Sequence, residues 1–160
     1  MRKTILIPTD FTVMPLLLLK HAAVNENRAL DILFLYGTLL PDSITDLLFY
    51  SPKKILDTAM SSDFREGCAV IQNKYPEKIQ SIRFEVFHGR STDAFKTLVS
   101  MQKVDEVLIP LLYTFREHEN SFNPVPLILK SGVPVMQVIV EQPQYISEGD
   151  LLAGLLTSTL

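Results

Sequence analysis

Short runs of apolar residues alternate along this chain with longer segments whose apolar residues recur every three or four positions. The apolar runs lie at residues 5–7, 31–36, 81–88, 106–109 and 134–140. Such runs predict buried strands, and the three-to-four spacing predicts amphipathic helices. Strands that alternate with helices predict parallel strands joined by right-handed crossovers. The pattern therefore predicts one α/β domain over residues 1–140, with five strands.

The first apolar run stops at Pro8 and opens into a polar loop that contains Thr9 and Asp10. In open α/β sheets, ligands bind outside the carboxyl ends of the strands, where the strand order reverses. We therefore interpret residues 3–12 as the central strand and the loop beside a ligand crevice. The alternative role of Asp10 is structural, because its carboxylate can accept backbone N–H bonds that cap the loop and the next helix.

Turn and capping residues divide the predicted helices. The first helix fades near Asn25, and a second, long helix begins at Ser51-Pro52 and runs to just before Pro76. Ser91 or Thr92 caps a third helix. A fourth begins at Asn123-Pro124 and is stopped by Gly132. Residues 81–88 alternate between apolar and polar side chains, which predicts a strand near the edge of the sheet.

Residues 141–160 lie outside this alternation. Leu151, Leu152, Leu155 and Leu156 have helical spacing. One interpretation is a short helix packed on the body, or a frayed end. The alternative is a segment that docks on a partner subunit.

Composition and charge narrow the class of protein. The hydrophobic fraction is 47% and the charged fraction 21%, which is the balance of a globular domain. The net charge is −3 without a basic tract, which argues against sequence-independent nucleic-acid binding. One cysteine excludes a disulfide framework within the chain. No apolar stretch reaches the roughly 20 residues of a membrane span, and no signal-peptide pattern is present, so we expect a cytoplasmic protein.

Motifs of catalytic chemistry are missing. The chain has no Gly-x-Ser-x-Gly elbow, no His-Glu-x-x-His and no Walker loop. His118 lies between two glutamates, but adjacent loop residues rarely point at one metal, so we expect no metal site. We expect His21 to be partly buried and Cys68 to be inert core. His88 and Arg90 end the third strand, where a ligand contact is a lesser alternative. We expect no enzymatic activity.

The opening segment KTILIPTDFT, followed by LLLLKHA at residues 16–22, resembles the start of universal stress proteins. In that family a strand ends in a Pro-Thr-Asp-Phe loop and leads into a helix carrying Lys-His/Tyr-Ala. Gly89, the Val104-Asp105 pair and the closing SGVPVMQVIV agree, so the resemblance covers about residues 1–140. It implies an adenine nucleotide alpha hydrolase-like, Rossmann-like fold: an open five-stranded parallel sheet in the order 3-2-1-4-5, with helices on both faces.

Many members of that family bind ATP. The resemblance implies that Asp10 corresponds to the aspartate that contacts adenosine, while a glycine-rich stretch after the fourth strand wraps the phosphates and ribose. Here Pro110 and Tyr113 occupy the first two glycine positions, and residues 111–131 contain no glycine. Each lost N–H contact to a phosphate forfeits about 1.5–3 kcal/mol. We therefore expect no tight ATP binding and no other cofactor. The residues expected at the residual pocket are Pro8, Thr9, Asp10, Tyr36, Gly89, Ile109 and Pro110.

Two classes of function follow. The first is a non-catalytic, stress-associated homodimer that acts as an interaction module. The resemblance implies that the apolar strand at residues 134–140 lies at a sheet edge and meets the same strand of a second subunit, so we expect the subunits to pair there. The alternative is a sensor of a small ligand or nucleotide, with a pocket above Asp10 made more apolar by Tyr36, Ile109, Pro110 and Tyr113. Binding to nucleic acid or membrane is not expected.

Overall fold

The computed structural model describes residues 1–140, and the predicted tail segment 141–160 lies outside the described residues. The strands of the described part are β1 (Lys3–Pro8), β2 (Leu30–Gly37), β3 (Ile79–Phe87), β4 (Glu106–Pro110) and β5 (Val135–Val138). Its helices are α1 (Val13–Asn25), α2 (Ile44–Leu48), α3 (Pro52–Ala59), α4 (Ser62–Lys74), α5 (Thr92–Met101) and α6 (Val125–Ser131).

The five strands form one parallel sheet in the order β3-β2-β1-β4-β5. This arrangement confirms the predicted order and the central position of the first strand. Ile5 of β1 pairs with Ile32 of β2 on one side and with Glu106 of β4 on the other. The chain leaves β1 toward β2 on one side and reaches β4 on the other, so the carboxyl end of β1 lies where the strand order reverses.

Side chains that alternate along the strands build two cores, one on each face of the sheet. On one face, Ile7 and Phe34 pack with Leu18 of α1 and Phe64 of α4. On the opposite face, the buried members are Leu6, Leu33, Leu35, Phe87, Val107 and Ile109 of the strands, with Phe95 of α5 and Ile128 of α6. The prediction of helices on both faces is therefore confirmed. None of the helices in residues 1–140 is both long and apolar enough to cross a membrane.

The prediction of one long helix from residue 52 to residue 75 is wrong. The chain breaks at Met60, which ends α3, and Ser61 starts α4 by accepting the N–H of Phe64 on its hydroxyl at 3.1 Å. Met60 is buried, so the apolar spacing of Leu56, Met60 and Phe64 continues through the break although the backbone does not. Helix α2, which begins at the cap Ser43, was not predicted.

The last helix begins one residue later than predicted. Pro124 is the cap residue of α6, and the side chain of Asn123 accepts the N–H of Val125 at 3.0 Å. Gly132 ends the helix with a φ of 78°, the left-handed conformation that the sequence predicted there.

Candidate functional site

The carboxyl end of β1 places Thr9 and Asp10 in the middle of the sheet edge. The backbone N–H of Thr9 donates to the carbonyl of Leu35, which ties the loop to β2. Both Thr9 and Asp10 are buried, and Asp10 is 4% exposed. The loop after β4 reaches the same point because β4 is the other neighbour of β1.

The carboxylate of Asp10 is fully hydrogen-bonded to its own chain. Oδ1 accepts the backbone N–H of Thr12 at 3.2 Å and the hydroxyl of Thr12 at 2.5 Å. Oδ2 accepts the Tyr113 hydroxyl at 2.7 Å and the backbone N–H of Arg116 at 2.8 Å. A carboxylate has about four acceptor positions. Four donors therefore leave no position of Asp10 open to a ligand.

Tyr113 closes this network. Its hydroxyl also lies 2.7 Å from the hydroxyl oxygen of Thr12, so Asp10, Thr12 and Tyr113 form a continuous polar cluster. Burial raises the pKa of Tyr113 above its ordinary value, which keeps the phenol protonated as a donor to Asp10. The ring of Tyr113 packs edge-on against Phe115, with 5.6 Å between centroids.

The loop after β4 begins with a backbone conformation that favours glycine, but the residues there are not glycines. Pro110 ends β4 and has no N–H to offer a phosphate. Leu112 has a φ of 59° and is 90% exposed, so its side chain gains little packing in return for a left-handed backbone. That conformation costs a residue with a Cβ about 1–2 kcal/mol.

Phe11 joins the crevice to the core. Its φ is 58°, and its N–H donates to the hydroxyl oxygen of Thr9 at 2.9 Å. The ring lies 4.9 Å from that of Tyr36 and 5.2 Å from that of Phe64, measured between centroids. This aromatic packing holds the left-handed residue in place and fixes the direction in which Asp10 leaves the strand.

Residues 118–122, which we name the strap, cross from the β4 side to the end of β2. The carbonyl of Asn120 accepts the N–H of Leu39 at 2.6 Å and the hydroxyl of Thr38 at 2.8 Å. Thr38 also forms an antiparallel bridge with Ser121. The N–H of Phe122 donates to the carbonyl of Gly37 at 3.0 Å. A Cβ at Gly37 would lie 2.7 Å from the Phe122 carbonyl oxygen, so this close approach requires glycine.

A cavity of about 510 Å³ lies beyond the end of β2, beside Tyr36 rather than above Asp10. Its apolar lining comes from β2, the segment after it and α3: Tyr36, Leu39, Pro41, Ile55 and Ala59. Lys54 of α3 and three strap residues, His118, Glu119 and Asn120, also line it. Burial raises the pKa of Tyr36, so its hydroxyl is neutral.

Most of the residues predicted to line one pocket lie at the carboxyl ends of the neighbouring strands β1 and β4, outside the cavity beside Tyr36. Of Pro8, Thr9, Asp10, Tyr36, Gly89, Ile109 and Pro110, the cavity contains only Tyr36. Ile109 belongs to the core on the α5 side of the sheet. Gly89 follows β3, which β2 separates from β1, and a Cβ there would meet Ala94 and Phe87. Sequence reasoning placed Thr12 beside Asp10 as a capping residue, but it did not identify Ile55 or the backbone of Arg116 as parts of this region.

The remaining polar candidates have partners or lie elsewhere. His88 Nδ1 is 2.8 Å from the carbonyl oxygen of Thr38, and its Nε2 contacts the hydroxyl of Tyr50. His21 contacts Asn25 within α1, and burial lowers the pKa of His21. Within residues 1–140, no three His, Cys, Asp or Glu side chains are grouped to hold a metal ion. Cys68 is buried, which raises the pKa of its thiol to about 12.

Comparison with known proteins gives a likeness in fold. No family model matches the chain, and no curated protein matches it. A solved protein described as hypothetical is 19% identical, with a TM-score of 0.52 over 88% of this chain and 99% of that chain.

Two further solved structures are universal stress proteins. One, from Burkholderia pseudomallei, is 14% identical, with a TM-score of 0.46 over 86% of this chain and 96% of its own. The other, solved in complex with cAMP, is 18% identical, with a TM-score of 0.48 over 85% and 96%. The likeness to the structure with a TM-score of 0.52 bears on the fold alone.

Proposed function

We propose that this chain is a universal-stress-protein-like, non-catalytic, stress-associated protein that acts as a homodimer and does not bind ATP tightly. The opening motif and the strand order support the family assignment. The occupied carboxylate of Asp10 supports the absence of tight ATP binding, and it is the single observation on which the proposal rests.

A nucleotide that used Asp10 would first displace donors of the chain itself. The Tyr113 hydroxyl and the Arg116 N–H would have to leave Oδ2. Hydrogen bonds to a charged group contribute about 1.5–3 kcal/mol each. Hydrogen bonds from the ribose hydroxyls would only replace those lost from Tyr113 and Arg116. Asp10 therefore adds almost nothing to the net affinity for a nucleotide.

The phosphate side of the crevice is equally unfavourable. Pro110 offers no N–H, and Leu112 places an isobutyl group where glycine would leave the backbone accessible. The basic residues of the loop, Arg116 and His118, alternate with Glu117 and Glu119, whose charges oppose a polyphosphate. The adenosine side of the site is therefore weakened by the donors that occupy Asp10, and the phosphate side by the residues of the loop after β4.

Three potentially reactive side chains support a non-catalytic role. The acceptor positions of Asp10 are filled, and His88 is held between Tyr50 and the carbonyl of Thr38. The thiol of Cys68 is protonated at neutral pH because burial raises its pKa to about 12. A general base needs a free acceptor within reach of a substrate proton, and none of these groups offers one.

Strand β5 supports the proposed dimer. Within the described part of the chain it pairs with β4 alone, so its second edge is open. Met136 is 42% exposed and Ile139 is 66% exposed, and both lie along this strand or directly after it. An open apolar edge favours pairing with the same strand of a second copy.

Thermal unfolding tests the nucleotide part of this proposal. We expect ATP-Mg at 1 mM to leave Tm unchanged. A ligand present at 100 times its Kd adds about 2.7 kcal/mol of stability. For a domain of this size that increase corresponds to about 5–11 °C. A shift of that size with ATP-Mg would refute the proposal, and the same assay on a known ATP-binding protein serves as the positive control.

The dimer is tested by light scattering after size-exclusion chromatography. We expect the mass of two chains for the natural protein and of one chain for Met136→Arg, which places a charge on the open strand. Leu112→Arg, which changes an exposed leucine in the loop after β4, is the matched control and should remain dimeric. A natural protein that elutes with the mass of one chain contradicts this part.

The cavity beside Tyr36 favours a second candidate function, a sensor of a small apolar or aromatic ligand. Its volume of about 510 Å³ falls within the range of about 300–1,000 Å³ that holds small molecules. The test is a melting screen against a metabolite panel. A stabilising compound whose effect is lost in Ala59→Leu, which fills the cavity, and kept in Ala69→Leu on α4 would establish this function. A screen without any stabilising compound would contradict it.

A further inference from the structure

The segment that follows β2 carries apolar side chains on the outside of the protein. Ile44 is 78% exposed, Leu48 is 76% exposed and Phe49 is 75% exposed. Leu40 and Leu47 are exposed as well. We name these five side chains the outer apolar patch. Their concentration within ten residues differs from the single exposed apolar residues that are normal on a protein surface.

Helix α2 organises the outer apolar patch. Leu47 and Leu48 follow Ile44 by three and four positions, which places both next to Ile44 on one face of the helix. Every residue of α2 is exposed, so this face does not pack on the body of the protein. An amphipathic helix normally buries its apolar face, so α2 has the residues of a packed helix and the position of an unpacked one.

The segment is held in place at both ends. Before it, Leu39 donates its N–H to the carbonyl of Asn120, and Thr38 bridges to Ser121. After it, the hydroxyl of Tyr50 contacts Nε2 of His88. The side chain of Ser43 caps α2 by accepting the N–H of Asp46 at 3.0 Å. The patch is thus presented on a fixed backbone, which lowers the entropy lost on binding.

The charged residues of the segment that carries the patch are all acidic. Residues 38–50 contain Asp42 and Asp46 and no Lys, Arg or His. Both aspartates line a groove of about 800 Å³ next to the patch, together with Arg90 and His88. In the described part of the chain, neither aspartate has an ion-pair partner within 4.0 Å, Arg90 included. The carboxylates are available to a partner and disfavour an anionic lipid surface.

We propose that the outer apolar patch is a docking site for a segment of another protein that carries apolar anchors flanked by Lys or Arg. The anchors would pack on Ile44, Leu48 and Phe49, and the cations would pair with Asp42 and Asp46. The assignment deepens the proposed role as an interaction module and rests on it. The patch lies on the β2–β3 side of the sheet, whereas the proposed dimer uses β5 at the opposite edge. Both contacts can therefore exist together.

Binding of two designed peptides tests this assignment on the full chain. One is a fluorescein-labelled 18-residue amphipathic peptide of Leu and Lys, and the other has the same Leu positions with Glu in place of Lys. We expect fluorescence anisotropy to report binding of the Lys peptide at least about tenfold tighter than that of the Glu peptide, and weaker binding as salt rises. Ile44→Ser/Leu48→Ser/Phe49→Ser should weaken the Lys peptide at least about tenfold. Since these side chains are exposed, the variant should keep its Tm.

A charge reversal at the patch distinguishes binding at this surface from a general effect of the protein's net negative charge. Asp42→Lys/Asp46→Lys should reverse the preference toward the Glu peptide. Glu66→Lys/Glu77→Lys changes the net charge by the same amount at exposed positions elsewhere and should leave the preference intact. Equal binding of both peptides, no binding of either, or unchanged binding by the triple serine variant would overturn the assignment. So would self-association that the triple serine variant abolishes, because the occupant would then be a second copy. None of these outcomes depends on whether ATP binds.

Discussion

Replacing Tyr113 with Phe removes one oxygen from the crevice and keeps the ring that packs on Phe115. That oxygen donates to Asp10 Oδ2 at 2.7 Å and lies 2.7 Å from the hydroxyl oxygen of Thr12. A hydrogen bond to a carboxylate contributes about 1.5–3 kcal/mol. Because Tyr113 is half-buried, we expect the lower part of this range. The free energy of unfolding should fall by about 2 kcal/mol.

Urea unfolding at pH 7 measures this loss as a lower midpoint with an unchanged slope. For a domain of this size, about 2 kcal/mol corresponds to a decrease of about 4–8 °C in Tm. A double-mutant cycle with Thr12→Val should give a coupling energy of about 0.5 kcal/mol or more, because the two hydroxyls share one network.

Tyr75→Phe is the matched control, since the hydroxyl of Tyr75 has no hydrogen bond to a described residue, and it should change stability by less than about 0.5 kcal/mol. If Tyr113→Phe is equally harmless, the hydroxyl does not hold the crevice closed. The reasoning on Asp10 would then be refuted.

Three further predictions concern other positions. Leu112→Gly should raise the free energy of unfolding by up to about 1 kcal/mol in urea, because it relieves a left-handed backbone at an exposed residue; a loss would contradict the strain. Burial lowers the pKa of His21, so the folded state binds a proton less readily than the unfolded state. Stability should therefore decline as pH falls through about 6.5, and His21→Gln should decline less between pH 7.5 and 5.5. Burial raises the pKa of Cys68 to about 12, so iodoacetamide at pH 8 should label it only after unfolding, and rapid labelling of the folded protein would contradict this.

The fold was largely predictable because the strands are buried on both faces. Such strands appear in the sequence as continuous apolar runs, as at residues 5–7 and 31–36. The strand order is a different matter, since hydrophobic spacing carries no record of which strands are neighbours. That order came from the resemblance to universal stress proteins, and the pairing of β1 with β2 and β4 confirms it.

Helix boundaries were less predictable. The apolar spacing of Leu56, Met60 and Phe64 continues across the break between α3 and α4, because both helices pack on the same core. The available signal was Ser61, a cap residue followed by Ser62 and Asp63. Helix α2 was missed for the opposite reason. Helices were predicted from apolar residues that would be buried, whereas the apolar residues of α2 face solvent.

The candidate site was predictable only where topology determines it. The position of Asp10 follows from a central strand and the loop after it. Its partner Tyr113 lies 103 residues away; the sequence placed it at an expected glycine position and in the apolar lining of a pocket, but not as a donor to Asp10. A hydroxyl at the end of the neighbouring strand was the signal that could have linked the two. The cavity beside Tyr36 depends on how α3 packs, which no local pattern encodes.

The close approach at Gly37 provides a way to recognise other chains of this kind from sequence. A methyl group there would collide with the carbonyl of Phe122, so the strap can cross the end of β2 only above a glycine. Tyr113 stands three residues after Pro110, the proline that closes β4. We expect that a relative with both features plugs its own crevice. A relative with a bulkier residue in place of Gly37, and with glycines in place of Pro110 and Tyr113, should leave the crevice free for a nucleotide.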